Sequence, residues 1–268
     1  MSRKLWALLL IFLAAGTASA QIETANAGVV SPRSPELKIR TFYRGAENGD
    51  RYGLKLIGTY GLTRQDEIRL VIPVLNREYL GDSQFGLGDV MWRYKHSLYQ
   101  KDGVMKSDRF AFFVDGSLPT GDSSDSAVPT RAQLGLGTPQ LGAGLIFSNV
   151  RDRHRFSAEL GYSQPLGNDL AGTTRLNLAY WYRFTPAQFP EDERPLEVRG
   201  VVELLSELRG AERGRDAGTL VFLAPGLQIY PSPSTQVELN VLVPVAQSLR
   251  DPLGDRQLGG SLTAKFRF

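Results

Sequence analysis

The sequence has 268 residues, of which 42% are hydrophobic, and a formal net charge of +3. Its 31 basic and 28 acidic residues nearly balance, which argues against the strongly basic surface of a nucleic-acid-binding protein. Because the sequence contains no cysteine, it excludes both a disulfide framework and a lipid-modified N-terminal cysteine. The 28 glycines, 10 tyrosines and 13 phenylalanines favour β-structure with many turns.

The start of the chain has the layout of a secretory signal peptide. Arg3 and Lys4 precede an apolar run, residues 5–15, and Ala18 to Ala20 supplies small residues where signal peptidase cuts. That run is too short for a transmembrane helix, which needs roughly 20 residues. We therefore expect residues 1–20 to be a signal peptide cleaved after Ala20, with an uncleaved N-terminal anchor as the alternative.

Apolar residues alternate with a period of two from Glu36 onward, the pattern of β-strands with one apolar face. The predicted strands are longer than the 5–6 residues usual in soluble sheets and close to the roughly 9–11 that a tilted strand needs to cross a membrane. Twelve segments show the pattern: 36–44, 52–62, 66–74, 88–98, 109–118, 139–148, 154–164, 174–184, 195–206, 218–230, 235–246 and 257–268.

The connections between these segments alternate in length, as expected for short periplasmic turns and long external loops. Short connections are 63–65, 149–153 and 231–234, and long ones are 75–87, 119–138, 207–217 and 247–256. Two further connections, 99–108 and 185–194, are longer than this rule prefers. The even strand number returns both termini of the chain to the periplasm.

The predicted lipid face carries aromatic residues near the periplasmic strand ends, as in the aromatic girdle of such barrels. They are Tyr60, Phe110, Phe156, Tyr182, Phe184, Tyr230 and Phe266. In segment 218–230 two registers remain open. Either Leu223, Leu227 and Ile229 or Leu220, Phe222 and Tyr230 face lipid.

The last segment ends on Phe268, as outer-membrane proteins commonly do where the assembly machinery recognises them. Phe266 and Phe268 are therefore the candidate assembly signal. Together these patterns predict an all-β protein, a transmembrane barrel of about 12 antiparallel strands in the bacterial outer membrane, formed by residues 36–268. Residues 21–35, small and polar without periodicity, form an N-terminal extension expected outside the barrel or in its mouth.

A series of motifs then points to a family. It consists of Gly86 to Asp89 leading into a strand with Arg93 to Lys95, then Ser117 to Asp122, the glycine-rich runs Leu134 to Thr138 and Gln140 to Leu145, and Gly161 with Tyr162. This series resembles the outer-membrane family named for the meta-pathway of phenol degradation. The resemblance implies an outer-membrane barrel proposed to admit hydrophobic or aromatic compounds, and it supplies no catalytic motif. Pro119 and Gly121 are more simply read as ending a strand and forming an external turn than as ligand contacts.

Charged residues on the opposite faces of the strands should line the lumen. They are Lys38, Arg40, Lys55, Glu67, Arg69, Arg93, Lys95, Asp115, Glu159, Arg175, Arg183, Glu197, Arg199, Glu203, Glu238, Lys265 and Arg267. Hairpin midpoints predict three ion pairs of opposite sign: Arg93 with Asp115, Arg183 with Glu197, and Glu238 with Lys265.

Closure of the barrel should bring Lys38 and Arg40 beside Lys265 and Arg267 at the periplasmic end. The nearest acids in this prediction are Glu238 and Glu67. Because basic clusters in a pore favour anions, the sequence predicts weak anion selectivity. An equally favoured alternative is that these residues only fill and rigidify a narrow lumen and conduct nothing. Wide aqueous channels are typical of barrels with sixteen or more strands.

Catalytic motifs are weak. His96 is followed by Ser97, a pairing that invites comparison with outer-membrane phospholipases, but adjacent residues of a strand point to opposite faces. The loop around Asp122 and Asp125 lacks the spacing of a calcium loop. We therefore expect no enzyme, no cofactor and no metal.

The function that these observations favour is a passive channel or uptake protein for small molecules, hydrophobic or aromatic ones among them. Two alternatives remain open: a plugged structural or interaction barrel, and, less favoured, a lipid-acting enzyme. The expected partners are outer-membrane lipid, the outer-membrane assembly machinery and an unknown small-molecule substrate, with no nucleic acid.

Overall fold

A computed structural model describes residues 24–125, 127–167, 169–188, 195–212, 216–248 and 252–268. The expected signal peptide, residues 1–20, lies outside the described residues. Over the described residues the protein consists of strands and one 3₁₀ turn, Thr130–Ala132. None of the helical structure described is long and apolar enough to cross a bilayer.

The described residues form thirteen strands. They are β1 (Glu36–Ala46), β2 (Arg51–Gly61), β3 (Asp66–Tyr79), β4 (Asp82–Leu87), β5 (Val90–Gly103), β6 (Lys106–Leu118), β7 (Gln140–Arg151), β8 (His154–Pro165), β9 (Thr173–Thr185), β10 (Glu197–Arg209), β11 (Gly218–Ser232), β12 (Thr235–Gln247) and β13 (Arg256–Arg267).

Twelve of these strands close into an antiparallel barrel. β2 pairs with both β1 and β3, β3 pairs with β5, and the chain then runs strand by strand to β13, which pairs back with β1. β4 stands outside the ring because it pairs only with the far end of β3. The prediction of a closed barrel of about 12 antiparallel strands is confirmed. Closure leaves no unpaired edge, which is what a sheet in lipid requires.

The alternation of side chains places apolar residues outside and polar residues inside. On β12, Leu239 and Val241 are exposed, whereas Glu238 and Asn240 are buried. An apolar exterior with a charged interior is the reverse of a soluble protein and matches a strand ring surrounded by lipid.

One end of the barrel, here called the turn end, carries the short connections 62–65, 104–105, 152–153 and 233–234. The opposite end is called the loop end. The connection predicted as residues 99–108 is in fact only Val104 and Met105, because β5 and β6 extend far beyond the predicted strands, and Met105 takes a φ of 56° to make the turn. The long loop predicted at 75–87 is likewise wrong, since it forms the β3–β4 hairpin.

The register of β11 resolves the open alternative. Leu223 and Leu227 are exposed, while Ala224 and Gln228 are buried, so the odd-numbered residues face outward. Tyr230 therefore faces the lumen, where its ring stacks under Arg199 at 4.5 Å. Its predicted place in the lipid-facing aromatic girdle is wrong.

Of the three predicted ion pairs, only Arg93–Asp115 is confirmed, at 2.7 Å. Arg183 lies opposite Arg199 rather than Glu197, because β9 ends at Thr185 and β10 begins only at Glu197, which moves the midpoint of their connection further along the chain than predicted. On β13, Lys265 lies opposite Gln236, not Glu238. The prediction from the loop midpoint failed there because the ladder ends at the pair Leu242–Gly259. Beyond that pair, β12 continues for more residues than β13 does.

Candidate solute path through the barrel

The structure places the charged side chains predicted for the lumen on inward positions of their strands. Several are almost fully enclosed by protein, among them Lys38, Glu159, Glu203 and Glu238. The interior is therefore densely packed with charges of both signs rather than lined around an open pore.

A stretch of the N-terminal extension crosses the lumen. This lumen segment, residues 24–30, contains Thr24 and Ala27, both with 0% exposure. The extension was expected outside the barrel or in its mouth, and the placement of these residues deep inside corrects that expectation. No periodicity marked them, because an extended segment held by side chains needs no repeating pattern of its own.

Carboxylates of the barrel wall bind the lumen segment through its backbone. Thr24 donates its N–H to Glu203 at 2.9 Å, Ala25 to Glu159 at 2.9 Å and Val30 to Glu67 at 2.8 Å. Hydrogen bonds to charged acceptors contribute about 1.5–3 kcal/mol each. Glu203, Glu159 and Glu67, which the sequence analysis assigned to the lining of the lumen, thus hold the segment in place.

Further contacts come from hydroxyl and ammonium groups. The Ser148 hydroxyl accepts the Ala27 N–H at 2.9 Å, and the Ser157 hydroxyl donates to the Ala25 carbonyl at 2.9 Å. Lys95 donates to the carbonyl of Asn26 at 3.0 Å and also to that of Gly28. The segment is therefore bound from β3, β5, β7, β8 and β10.

The exit of the segment toward β1 depends on a glycine. A Cβ added at Gly61 of β2 would lie 2.0 Å from the carbonyl oxygen of Val30. Any side chain there would push the segment away from the wall.

An ion-pair network occupies the wall beside the segment. Arg93 lies 2.7 Å from Asp115 and 2.9 Å from Glu159, and its guanidinium stacks on the Phe113 ring at 3.8 Å. Lys95 lies 3.0 Å from Glu67. Because Glu159 and Glu67 also accept backbone N–H groups of the lumen segment, the network couples the wall to the segment.

The seam between β1 and β13 contains the predicted basic cluster, with an acid that the sequence analysis missed. Lys38 lies opposite Lys265. Glu36 lies 2.8 Å from Lys265 and 2.6 Å from Arg267. Glu36 starts β1 with the same parity as Lys38, which was the signal that could have revealed it. The predicted excess of positive charge is smaller than expected because Glu36 partly neutralises the cluster.

Two cavities lie on opposite sides of the lumen segment. The upper cavity, about 380 Å³, is bordered by Ala25 and extends toward the loop end. The lower cavity, about 290 Å³, is bordered by Asn26 and Gly28 and lies at the turn end beside Met105. Residues of the segment thus border both spaces.

Above the upper cavity, the loop end is partly covered by residues 119–139, here called the mouth loop. Leu134 packs against Phe42 and Leu75 of the barrel wall, and Arg77 donates to the Arg131 carbonyl at 2.8 Å. The loop was predicted as a long external connection, but much of it folds inward.

A second anchor ties the mouth loop to its neighbours. Arg131 lies 2.6 Å from Glu212, which also accepts the Ala171 N–H at 2.8 Å. Burial raises the pKa of Glu212, but the hydrogen bonds from Arg131 and Ala171 outweigh it and leave that pKa below its usual value. Glu212 is therefore ionised at neutral pH.

Three of the motifs that carried the family resemblance, at residues 86–89, 117–122 and 134–138, meet at Asp89. One oxygen of its carboxylate accepts the Gly121 N–H at 3.0 Å and the other accepts the Leu136 N–H at 2.8 Å. At Gly135, an added Cβ would lie 2.5 Å from the Gly121 carbonyl oxygen, so the backbones at the two ends of the mouth loop are in direct contact. The motifs therefore act structurally, as the turn interpretation of Gly121 anticipated, and fix the base of the mouth loop.

The histidine–serine pair has the geometry expected of adjacent strand residues. His96 lies 2.7 Å from Asp66, whereas Ser97 is buried on the lumen side. No cluster of metal-ligating residues occurs in the described part of the chain.

A closed antiparallel ring with an apolar exterior and a charged interior defines the class of transmembrane β-barrels. Solved structures of this class share the fold. An outer-membrane channel from Pseudomonas putida F1 is 11% identical, with a TM-score of 0.67, over 92% of this chain and 100% of that one. The NanC porin is 12% identical, with a TM-score of 0.50, over 87% of this chain and 98% of that one. No protein-family model and no curated protein matches the sequence.

Proposed function

We propose that this protein is an outer-membrane channel that admits small molecules passively and whose resting path is restricted by its own N-terminal segment. The observation that carries the proposal is the pair of cavities, one facing each end of the barrel, separated by residues 24–30. A barrel serving only as a scaffold needs no such spaces. The likeness to an outer-membrane channel and a porin supports the same class.

The finer parts of the proposal concern location, assembly and substrate. Export by a cleaved signal peptide and recognition of Phe266 and Phe268 by the assembly machinery would bring the chain to the outer membrane. The resemblance to the family named for phenol degradation supports hydrophobic or aromatic solutes. No catalytic role is proposed.

Conductance in planar bilayers tests the proposal. Removing residues 21–31 from the exported protein should raise single-channel conductance several-fold, because the partition between the cavities is lost. Urea unfolding and the gel shift on heating would show whether the shortened protein still forms a barrel. A folded barrel with unchanged conductance would favour the plugged structural alternative.

A reversible variant avoids the deletion. The Ala27 amide lies 2.9 Å from the Ser148 hydroxyl, so cysteines at these neighbouring positions are candidates for a disulfide, and the natural chain has no cysteine to interfere. The oxidised A27C/S148C double variant should conduct less than its reduced form. The single variant A27C, treated with the same oxidant and reductant, is the control.

A further inference from the structure

The upper cavity has two chemically different walls. Its charged side includes Arg69 and Arg93 with the carboxylates of Asp115 and Glu159, and Arg175 of β9 reaches this side, 3.7 Å from Asp115. Its other side includes Leu205, Phe222 and Leu242, apolar residues on inward positions of β10, β11 and β12.

Arg69 and Arg93 face the apolar residues across the barrel. In the ring of twelve strands, β5, which carries Arg93, is six strands from β11, which carries Phe222, in either direction. β3 with Arg69 is likewise opposite β10 with Leu205. A solute in the cavity therefore meets guanidinium groups on one side, where Arg93 holds the carboxylates of Asp115 and Glu159, and an apolar patch on the other. The third carboxylate at the cavity, Glu207, pairs with Arg209.

Two of the guanidinium groups have only long ionic contacts. Arg175 lies 3.7 Å from Asp115, whose carboxylate is already held by Arg93 at 2.7 Å. Arg69 lies 3.5 Å from Glu67, which Lys95 holds at 3.0 Å. The buried Nε of Arg69 has no hydrogen-bond partner in the described structure.

Guanidinium groups pair best with planar carboxylates, which can accept two N–H groups at once. An apolar patch inside a polar lumen gains stability when a hydrophobic group covers it. The cavity volume of about 380 Å³ is at the lower end of the range for small-molecule sites.

We propose that the upper cavity is a binding site for a small organic carboxylate with an apolar body. The carboxylate would pair with Arg69 and Arg175, and the body would pack on Leu205, Phe222 and Leu242. This inference rests on the proposed function, since the solute must enter the barrel, and it narrows the substrate class to amphipathic anions.

Calorimetric titration of the detergent-purified full chain tests the site with three probes. Benzoate has both features, benzyl alcohol lacks the charge and acetate lacks the apolar body. Benzoate should bind at least about tenfold more tightly than either of the others, because each lacks one of the two contacts. Equal affinities for benzoate and benzyl alcohol, or no binding of benzoate, would overturn the inference.

Variants locate the site. R175Q and F222A should each weaken benzoate binding about tenfold or more. R155Q, in the lower cavity, is the matched control and should bind benzoate as the unchanged protein does. If R175Q and F222A also bind normally while remaining folded, benzoate binds elsewhere and the site is wrong.

The binding measurement needs no ion flow, so it separates the two proposals. Conductance without benzoate binding would overturn this site and leave the channel intact. Benzoate binding in a barrel that stays closed after removal of residues 21–31 would overturn the channel and leave the site.

Discussion

Glu36 of β1 and Lys265 of β13 form an ion pair at 2.8 Å across the seam that closes the barrel. Their side chains are only 5% and 11% exposed. Lys38 faces the same lysine in the ladder, so Glu36 is the acid that allows two basic strand ends to pair.

We expect E36Q to destabilise the barrel by about 3 kcal/mol, because it leaves buried cations without their partner. Urea unfolding in detergent, followed by tryptophan fluorescence, measures the change. E207Q is the control, since Glu207 pairs with Arg209 but is 33% exposed and should cost far less. Similar losses of stability for both variants would show that the buried pair Glu36–Lys265 stabilises the barrel no more than the pair Glu207–Arg209 does.

The carboxylate of Asp89 should control the mouth loop. D89N weakens the acceptors for the Gly121 and Leu136 amides, so the loop should be cleaved faster by protease, while the heat-induced gel shift of the barrel stays. D82N, on the exposed β3–β4 hairpin, is the control. Unchanged cleavage of D89N would mean that the packing of Leu134 and the contacts of Arg131 hold the loop without Asp89.

Acidification should release the Glu212 anchor. Because the pKa of Glu212 is lowered in the folded protein, its stabilising contribution is complete above its ordinary value of 4.5 and is lost as pH falls through the lowered value. Hydrogen exchange of the Ala171 amide, corrected for the intrinsic effect of pH, should therefore speed up in strongly acidic solution. In E212Q this amide should exchange faster at neutral pH and show no such step.

An arginine on the lipid face should be costly. Val241 is 45% exposed on the outer surface of β12, and Arg there should destabilise by about 2–4 kcal/mol. Asn240 is a poor comparison, because its side chain is buried and accepts hydrogen bonds from Ser261. Arg at Asn177, which borders the upper cavity, is the better control and should be milder. Equal effects of V241R and N177R in urea unfolding would contradict the assignment of inside and outside.

Removal of Phe268 should lower the yield of assembled protein in cells. The side chain is 70% exposed, and its N–H donates to the Pro35 carbonyl at 3.1 Å, so little packing is lost. Refolding of the shortened chain into detergent should therefore be nearly normal, whereas the amount of heat-shifted barrel in membranes falls. Equal losses in both assays would assign Phe268 a role in stability rather than in recognition.

The strands and their two faces follow from the sequence alone, because a period of two is a local property of neighbouring residues such as Glu238, Leu239 and Asn240. The strand count follows for the same reason. The pair Arg93–Asp115 was predicted correctly because the midpoint of the predicted connection 99–108 lies close to the actual turn at Val104 and Met105. Pairing across a long loop does not follow from the sequence: Lys265 was predicted opposite Glu238 but lies opposite Gln236.

Only the tertiary structure decided what fills the lumen. The bonds from Glu67, Glu159 and Glu203 to residues 24–30 join positions 37 to 179 residues apart, and backbone amides leave no trace in the side-chain pattern. The same holds for Asp89, whose three motifs are visible in the sequence but whose shared hydrogen bonds exist only once the barrel has closed around them.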